Sequence, residues 1–156
     1  MASHLEKDKN NKELLGPNVI DNVERGLKYS MEDITWAHQE QTNIYNNFRK
    51  FFENYDVLIC PAASVSPFPH EQLFVKEINN EKLPTYMRWL ALSYAPTMAI
   101  PCAWALPCGL DHKNLPFGIQ LIAPAGNDAK LSEIALAIED ALSNYEETKR
   151  AIPDIV

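Results

Sequence analysis

The longest uncharged stretch of the sequence, residues 89–110, restricts the possible folds more than any other feature. A run of about 20 apolar residues is long enough to span a bilayer as one helix. Here Pro96, Pro101 and Pro107 interrupt the run, and each proline removes a backbone donor and breaks a continuous helix. The stretch therefore predicts the end of a helix followed by a buried strand over residues 97–100, not a membrane span.

Helical periodicity is strongest in the segment that follows Ser30, which can cap a helix with Asp33 as its capping-box partner. Residues spaced alternately three and four apart then fall on one face: Ile34, Ala37, Gln41, Ile44, Phe48, Phe51 and Tyr55. Such stripes usually form core, so we expect this face to be buried. A weaker pattern between Pro17 and Gly26 predicts a shorter helix before it.

Strands and further helices complete an α/β pattern. Residues 57–60 form an unbroken apolar run ended by Pro61, which favours a strand covered on both faces, as in a parallel sheet. Residues 116–122 predict a second strand, antiparallel to the strand expected at 97–100 because the connection is short. A turn is expected at Asn79 and Asn80, and helices are expected from Pro84 and from Asn127. The last helix should bury Leu131, Ile134, Ala135, Ile138 and Leu142.

The predicted fold class is α/β, a mixed β-sheet covered by helices. We expect a flexible N-terminal segment over residues 1–16, a folded region over residues 17–145 and a C-terminal tail over residues 146–156.

Composition excludes several classes of function. The net charge is −7, which disfavours binding to nucleic acid or to an anionic membrane surface. Three cysteines and no regular spacing argue against a disulfide framework, so we expect free thiols in a reducing cytoplasm. The four histidines show no metal-ligand spacing, and we expect no metal or other cofactor.

Three segments in order carry a resemblance to a known family. Residues 55–61 read YDVLICP, residues 96–101 read PTMAIP, and residues 115–122 read LPFGIQLI. The second resembles the "PaisvP" strand and the third the "LPxGxQ" strand of the amidase signature family. The resemblance extends from about Val19 to Leu142, and it implies that the chain has the C-terminal part of the amidase-signature fold.

The resemblance also implies a reaction: amide-bond hydrolysis through an acyl-enzyme. That family uses a serine nucleophile, a second serine held in a cis peptide and a lysine base, in a variant of triad chemistry. The glycine- and serine-rich segment that carries these groups has no counterpart here, because no two glycines lie within five residues and no two serines are adjacent. We therefore predict no catalytic residues in this chain and no activity by the chain alone.

Two departures from the family pattern bear on the substrate class. Residues 91–94 read ALSY where the family commonly has Asn-x-x-Gly, and Gln41 stands where it often has arginine. In related enzymes the helix before "PaisvP" faces the acyl-binding pocket, so the resemblance makes Tyr86, Met87 and Leu90 candidates for a pocket wall. Plain core packing is the more usual role of such a stripe.

Three further interpretations stay open. Ser64 or Ser66 near His70 suggests a hydrolase site, although closeness in sequence is poor evidence for one. The chain is expected either to form part of an amidase that acts on a small-molecule amide, completed by an N-terminal amidase region, or to be a module without activity that binds a partner or forms a homo-oligomer.

Overall fold

The computed structural model describes residues 14–99 and 101–152. They form four α-helices: α1 (Pro17–Gly26), α2 (Met31–Phe51), α3 (Ala91–Tyr94) and α4 (Asp128–Ser143). Five strands accompany them: β1 (Leu58–Pro61), β2 (Glu77–Ile78), β3 (Glu81–Lys82), β4 (Cys102–Leu110) and β5 (Pro116–Ala123). Two 3₁₀ helices, Tyr86–Leu90 and Pro96–Ala99, flank α3. The predicted α/β class is confirmed.

Two compact units divide between Thr42 and Asn43. The first contains α1 and the first half of α2. In it, α1 begins at Pro17 and ends at Gly26, as expected from the two residues that limit it. Ser30 and Asp33 form the predicted capping box. The Asp33 backbone N–H donates to Ser30 Oγ over 3.1 Å, and the Ser30 N–H donates to Asp33 Oδ2 over 2.8 Å.

The expectation that the apolar face of α2 is core is wrong. No residue of the helix is buried. Ile34 on this face is 43% exposed, and Ile44, Phe48 and Phe51 are only half-buried. Periodicity fixes which side chains share a face, but a face is buried only where another part of the structure covers it.

The second unit is built on a three-stranded sheet with the order β1-β5-β4. Both pairings are antiparallel, with Leu121 of β5 opposite Ile59 of β1 and Trp104 of β4. The parallel arrangement expected for residues 57–60 is therefore wrong. Nor are both faces of β1 covered as expected, since its residues alternate between half-buried and exposed and Ile59 is 49% exposed. An apolar run alone does not fix the direction of the neighbouring strand.

Helix α4 covers one face of this sheet. The core contains Leu106, Leu121 and Ala123 of the strands with Leu131 and Ala135 of α4. Leu121 and Leu131 are essentially inaccessible to solvent. The helix begins after Asn127, as predicted, and the predicted inner face is correct, since its remaining members are half-buried.

The segment before β4 differs most from expectation. The strand predicted at residues 97–100 is wrong, because Pro96–Ala99 is a 3₁₀ helix and the strand begins at Cys102; Ile100 lies outside the described residues. The helix expected from Pro84 is divided between a 3₁₀ turn and the short α3. Pro96 is tolerated in the first turn of a helix, and Pro101 has no backbone N–H to donate to a neighbouring strand. The paired strand therefore begins after both prolines, at Cys102.

A small hairpin joins β2 to β3 through the predicted turn at Asn79 and Asn80, both with positive φ, as the preferred two-residue hairpin turn requires. The described residues contain no helix that is both long and apolar enough to cross a bilayer. The N-terminal segment predicted at residues 1–16 lies mostly outside the described residues, and the proposed domain boundaries stay a prediction.

Candidate functional site

A cavity of about 280 Å³ lies in the second unit, next to the N-terminal half of β5. Its walls come from the loop after β1, from the 3₁₀ helix Tyr86–Leu90 and from β5. No charged side chain lines it. The lining residues are Ala62, Ala63, Val65, Ser66, Pro67, Phe68, Trp89, Pro116, Phe117 and Gly118.

The side-chain amide of Gln120 holds two of these walls together. Its Nε2 donates to the carbonyl oxygen of Pro61 over 3.1 Å and to that of Leu92 over 2.8 Å. One residue of β5 therefore joins the end of β1 to helix α3. Replacing the amide would remove this donor from both carbonyls and break the connection between the two elements. The glutamine of the "LPxGxQ" motif thus has a definite structural role.

Close backbone contacts also connect the end of β1 to β5 and to α3. The Ala62 N–H donates to the Gly118 carbonyl over 2.9 Å, and the Ser93 hydroxyl donates to the Ala62 carbonyl over 3.3 Å. A Cβ on Gly118 would lie 3.3 Å from the Leu106 carbonyl oxygen and 3.6 Å from Ala62 Cβ. A side chain at this position would therefore crowd the crossing, and the Leu106 carbonyl would have to move by a few tenths of an ångström.

Aromatic rings form the other side of the cavity. Trp89 packs edge-on against Phe68, with ring centroids 5.5 Å apart and an interplanar angle of 79°. The Trp89 indole nitrogen is buried, and it has no hydrogen-bond partner among the described residues. A buried N–H normally has a partner, so this nitrogen is an exception to the usual pairing of buried polar atoms.

The predicted pocket residues lie on the same 3₁₀ helix as Trp89. Tyr86, Met87 and Leu90 are half-buried, and the Tyr86 ring packs against Phe74 with centroids 6.3 Å apart. Their role as a pocket wall stays a prediction. The sequence did not identify Trp89 as a residue that lines the cavity. Nothing in the spacing distinguishes a tryptophan that lines a cavity from one that fills a core.

Near the cavity, the loop between β4 and β5 is organised by Asp111. Its Oδ1 accepts hydrogen bonds from the N–H groups of Leu115, over 3.0 Å, and Lys113, over 2.8 Å. The Leu115 N–H, with smaller contributions that include the Lys113 N–H, holds the pKa of the Asp111 carboxyl below its usual value. This ionised carboxylate fixes a turn, and that is a structural role.

In the described part of the chain, no hydrogen bond joins a serine hydroxyl to a lysine amine, nor His70 to Ser64 or Ser66. His70 instead contacts Glu71, with 3.3 Å between Nε2 and Oε1, and its side chain is 92% exposed. The three cysteines are free thiols, and residues 14–99 and 101–152 contain no cluster of potential metal ligands.

Comparisons with known proteins agree with these features. The amidase family model matches residues 5–131. A relative from Streptomyces avermitilis, a glutamyl-tRNA(Gln) amidotransferase subunit, is 34% identical over 106 residues, which cover 67% of this chain and 20% of that protein. The chain thus spans about one fifth of the length of such relatives.

Solved structures show the same fold. An amidase crystal structure superposes with a TM-score of 0.77 at 21% identity, covering 90% of this chain and 32% of that one. A bacterial aryl acylamidase of the amidase signature family superposes with a TM-score of 0.72 at 16% identity, covering 86% and 29%. With the extent of the family match, these findings show that the chain belongs to the amidase signature family.

Proposed function

We propose that the chain is the C-terminal portion of a hydrolase that cleaves the C–N bond of a small-molecule amide, and that it is catalytically incomplete by itself. The observation that carries the proposal is a family fold whose described residues contain no nucleophile paired to a base. Acyl transfer needs both groups within hydrogen-bond reach. The matched segments supply sheet, covering helix and the junction at Gln120, and the rest of the reaction requires residues from elsewhere.

The surface of the chain supports a completing partner. Sheet order leaves one edge of β1 and one edge of β4 without a neighbouring strand among the described residues. Large apolar side chains are also exposed on the sheet, with Ile59 at 49% and Trp104 at 45%. Unpaired edges and apolar patches favour association. An N-terminal amidase region is the partner we propose for these surfaces.

Hydrolysis of p-nitroacetanilide tests the catalytic part of the proposal. The purified chain should release p-nitroaniline no faster than buffer, while a complete aryl acylamidase run in parallel confirms the assay. Turnover above the buffer rate would show that the chain assembles its own catalytic groups.

A second candidate function is an association module without enzymatic activity. The exposed face of α2 favours it, because both a second copy of the chain and a different partner could cover that face. Light scattering on a dilute sample distinguishes a chain that associates from a chain that is stable as a monomer. A stable, strictly monomeric protein would contradict association of either kind.

We also propose a cytoplasmic location, because Cys60, Cys102 and Cys108 are all unpaired.

A further inference from the structure

We infer that a second cavity, which lies against the C-terminal half of α2, binds a small aromatic carboxylate, with the ring in the cavity and the carboxylate on the Arg49 guanidinium. The inference concerns binding alone. It does not depend on whether the chain is part of an active hydrolase, so either proposal can fail while the other holds.

This α2 cavity has a volume of about 130 Å³ and lies within the second unit. One wall comes from Tyr45, Phe48 and Arg49 of α2 and from Phe52, which follows the helix. The opposite wall comes from residues that directly precede β4 and directly follow β5. A molecule bound there would contact α2 on one side and the segments that flank two strands on the other.

The size and the lining of the α2 cavity suit one aromatic ring. An apolar cavity of about 150 Å³ holds a benzene molecule, so a volume of about 130 Å³ leaves room for one ring and little else. The rings of Phe48 and Phe52 are tilted by 54°, with centroids 6.1 Å apart. Aromatic side chains arranged at such an angle favour a further ring in edge-on or offset contact.

Arg49 determines the charge of the ligand. Its side chain is exposed, and no described residue forms an ion pair or a hydrogen bond with its guanidinium. No acidic residue lines the cavity. An arginine stem can lie along an apolar wall while its head stays in water, and the guanidinium presents a planar fork of donors that matches a carboxylate. A carboxylate at the mouth of the cavity would supply the partner that Arg49 lacks.

The two requirements together define the chemical class of the ligand. A neutral ring would fill the α2 cavity without pairing with Arg49, and a small anion without a ring would pair with Arg49 and leave the cavity unfilled. The net charge of the chain is −7, so the protein as a whole does not attract anions. The attraction must therefore come from the local guanidinium, and the loss of this one side chain should remove it.

Three probe molecules separate these contributions. Benzoate carries both the ring and the charge, benzamide has the same shape without the charge, and acetate has the charge without the ring. Titration of ¹⁵N-labelled protein follows the backbone N–H signals of Ala125, in the α2 cavity, and of Gly118, in the 280 Å³ cavity. We expect benzoate to move the Ala125 signal and not the Gly118 signal, and to bind roughly 3- to 10-fold more tightly than either other probe.

Two substitutions in the last turn of α2 provide the controls. Arg49→Gln removes the guanidinium, so benzoate should then bind no better than benzamide. Lys50→Gln removes the same charge from the next residue, which does not line the cavity, and should leave the affinities unchanged. Both side chains are exposed, so neither substitution should unfold the chain.

The inference is overturned if the Ala125 signal stays in place up to the solubility limit of benzoate, or if benzamide or acetate binds the wild-type chain as tightly as benzoate. Equal weakening of benzoate by Arg49→Gln and Lys50→Gln would also overturn it, because the attraction would then be a general effect of positive charge. So would movement of the Gly118 signal alone, which would place benzoate in the other cavity.

Discussion

Helices α2 and α4 have similar apolar periodicity but different environments. Helix α4 buries Leu131 and Ala135 against the sheet, whereas α2 buries none of its residues and leaves Ile34 of its apolar face 43% exposed. The difference lies in what is available to cover each face. A sheet formed by the two strands immediately before it covers α4, while the described residues bury no side chain of α2. Periodicity therefore predicts a face that requires a partner, and it does not identify the partner.

The largest change in the free energy of unfolding should come from a substitution on the buried face of α4. Leu131→Ala removes a fully buried side chain and leaves a cavity, which should lower the free energy of unfolding by about 2–5 kcal/mol. Urea denaturation measures the change. Leu136→Ala on the same helix, at a position 67% exposed, is the matched control and should change stability by less than about 0.5 kcal/mol. Equal losses in both variants would mean that α4 is not packed as described.

A second test concerns the segment that follows α4. Gly109 of β4 has φ +68°, and a Cβ there would lie 2.0 Å from the Glu147 carbonyl oxygen. Gly109→Ala should cost about 1–3 kcal/mol for the backbone strain and displace residues 146–148. Thermal unfolding, with limited proteolysis of the tail, measures both effects.

Gly126→Ala is the control for this substitution, because Gly126 also has positive φ, +81°, but has open space around it. It should destabilise the chain less than Gly109→Ala. Identical losses would show that the tail does not pack closely on β4.

Capping of α2 should have a smaller effect. Ser30→Ala removes the acceptor for the Asp33 N–H, and loss of an N-cap costs about 1 kcal/mol. Because α2 has no buried face to compensate, the loss should appear as reduced helicity by circular dichroism. Ser132→Ala, which removes an exposed hydroxyl in the first turns of α4, should leave helicity unchanged.

The same cap makes α2 sensitive to acid. The Ser30 backbone N–H and then the Ser30 hydroxyl donate to Asp33 and hold its pKa below the ordinary value of 3.8. A lowered pKa in the folded state stabilises the helix above pH 3.8, and this contribution disappears as the pH falls through the folded value. Asp33→Asn should abolish that part of the acid transition. An unchanged transition would rule out the capping box as its source.

The smallest effect on stability should come from Trp36, an exposed side chain of α2 that lies outside its apolar face. Trp36→Gln should change the free energy of unfolding by less than about 0.5 kcal/mol while reducing self-association measured by light scattering. A loss greater than about 1 kcal/mol would mean that Trp36 is buried in solution, and the contrast between α2 and α4 would fail.

Local features of the fold were predictable from the sequence. The capping box at Ser30, the Asn79-Asn80 turn and the start of α4 depend on a few neighbouring residues, and all are confirmed. The direction of β1 and the start of β4 at Cys102 were not predictable, since strand pairing involves residues far apart in the chain and prolines shift strand boundaries.

The cavity shows the same limit. The glutamine and glycine of the "LPxGxQ" motif were recognised in the sequence, but their contacts join Pro61 and Leu92, which lie 59 and 28 residues from Gln120. No spacing rule predicts that an indole N–H will be buried without an acceptor. The burial of this N–H arises only in the folded structure, after β1, α3 and β5 have come together.

The central claim is that the chain carries the amidase fold without its acylating groups. Treatment with a fluorophosphonate probe, followed by intact-protein mass spectrometry, tests it most directly, because the probe modifies a serine only where a base activates it. We expect the mass to stay at that of the unmodified 17.7 kDa chain, while a complete amidase-family enzyme treated in parallel gains one adduct. A stoichiometric adduct on any serine of this chain would contradict the account.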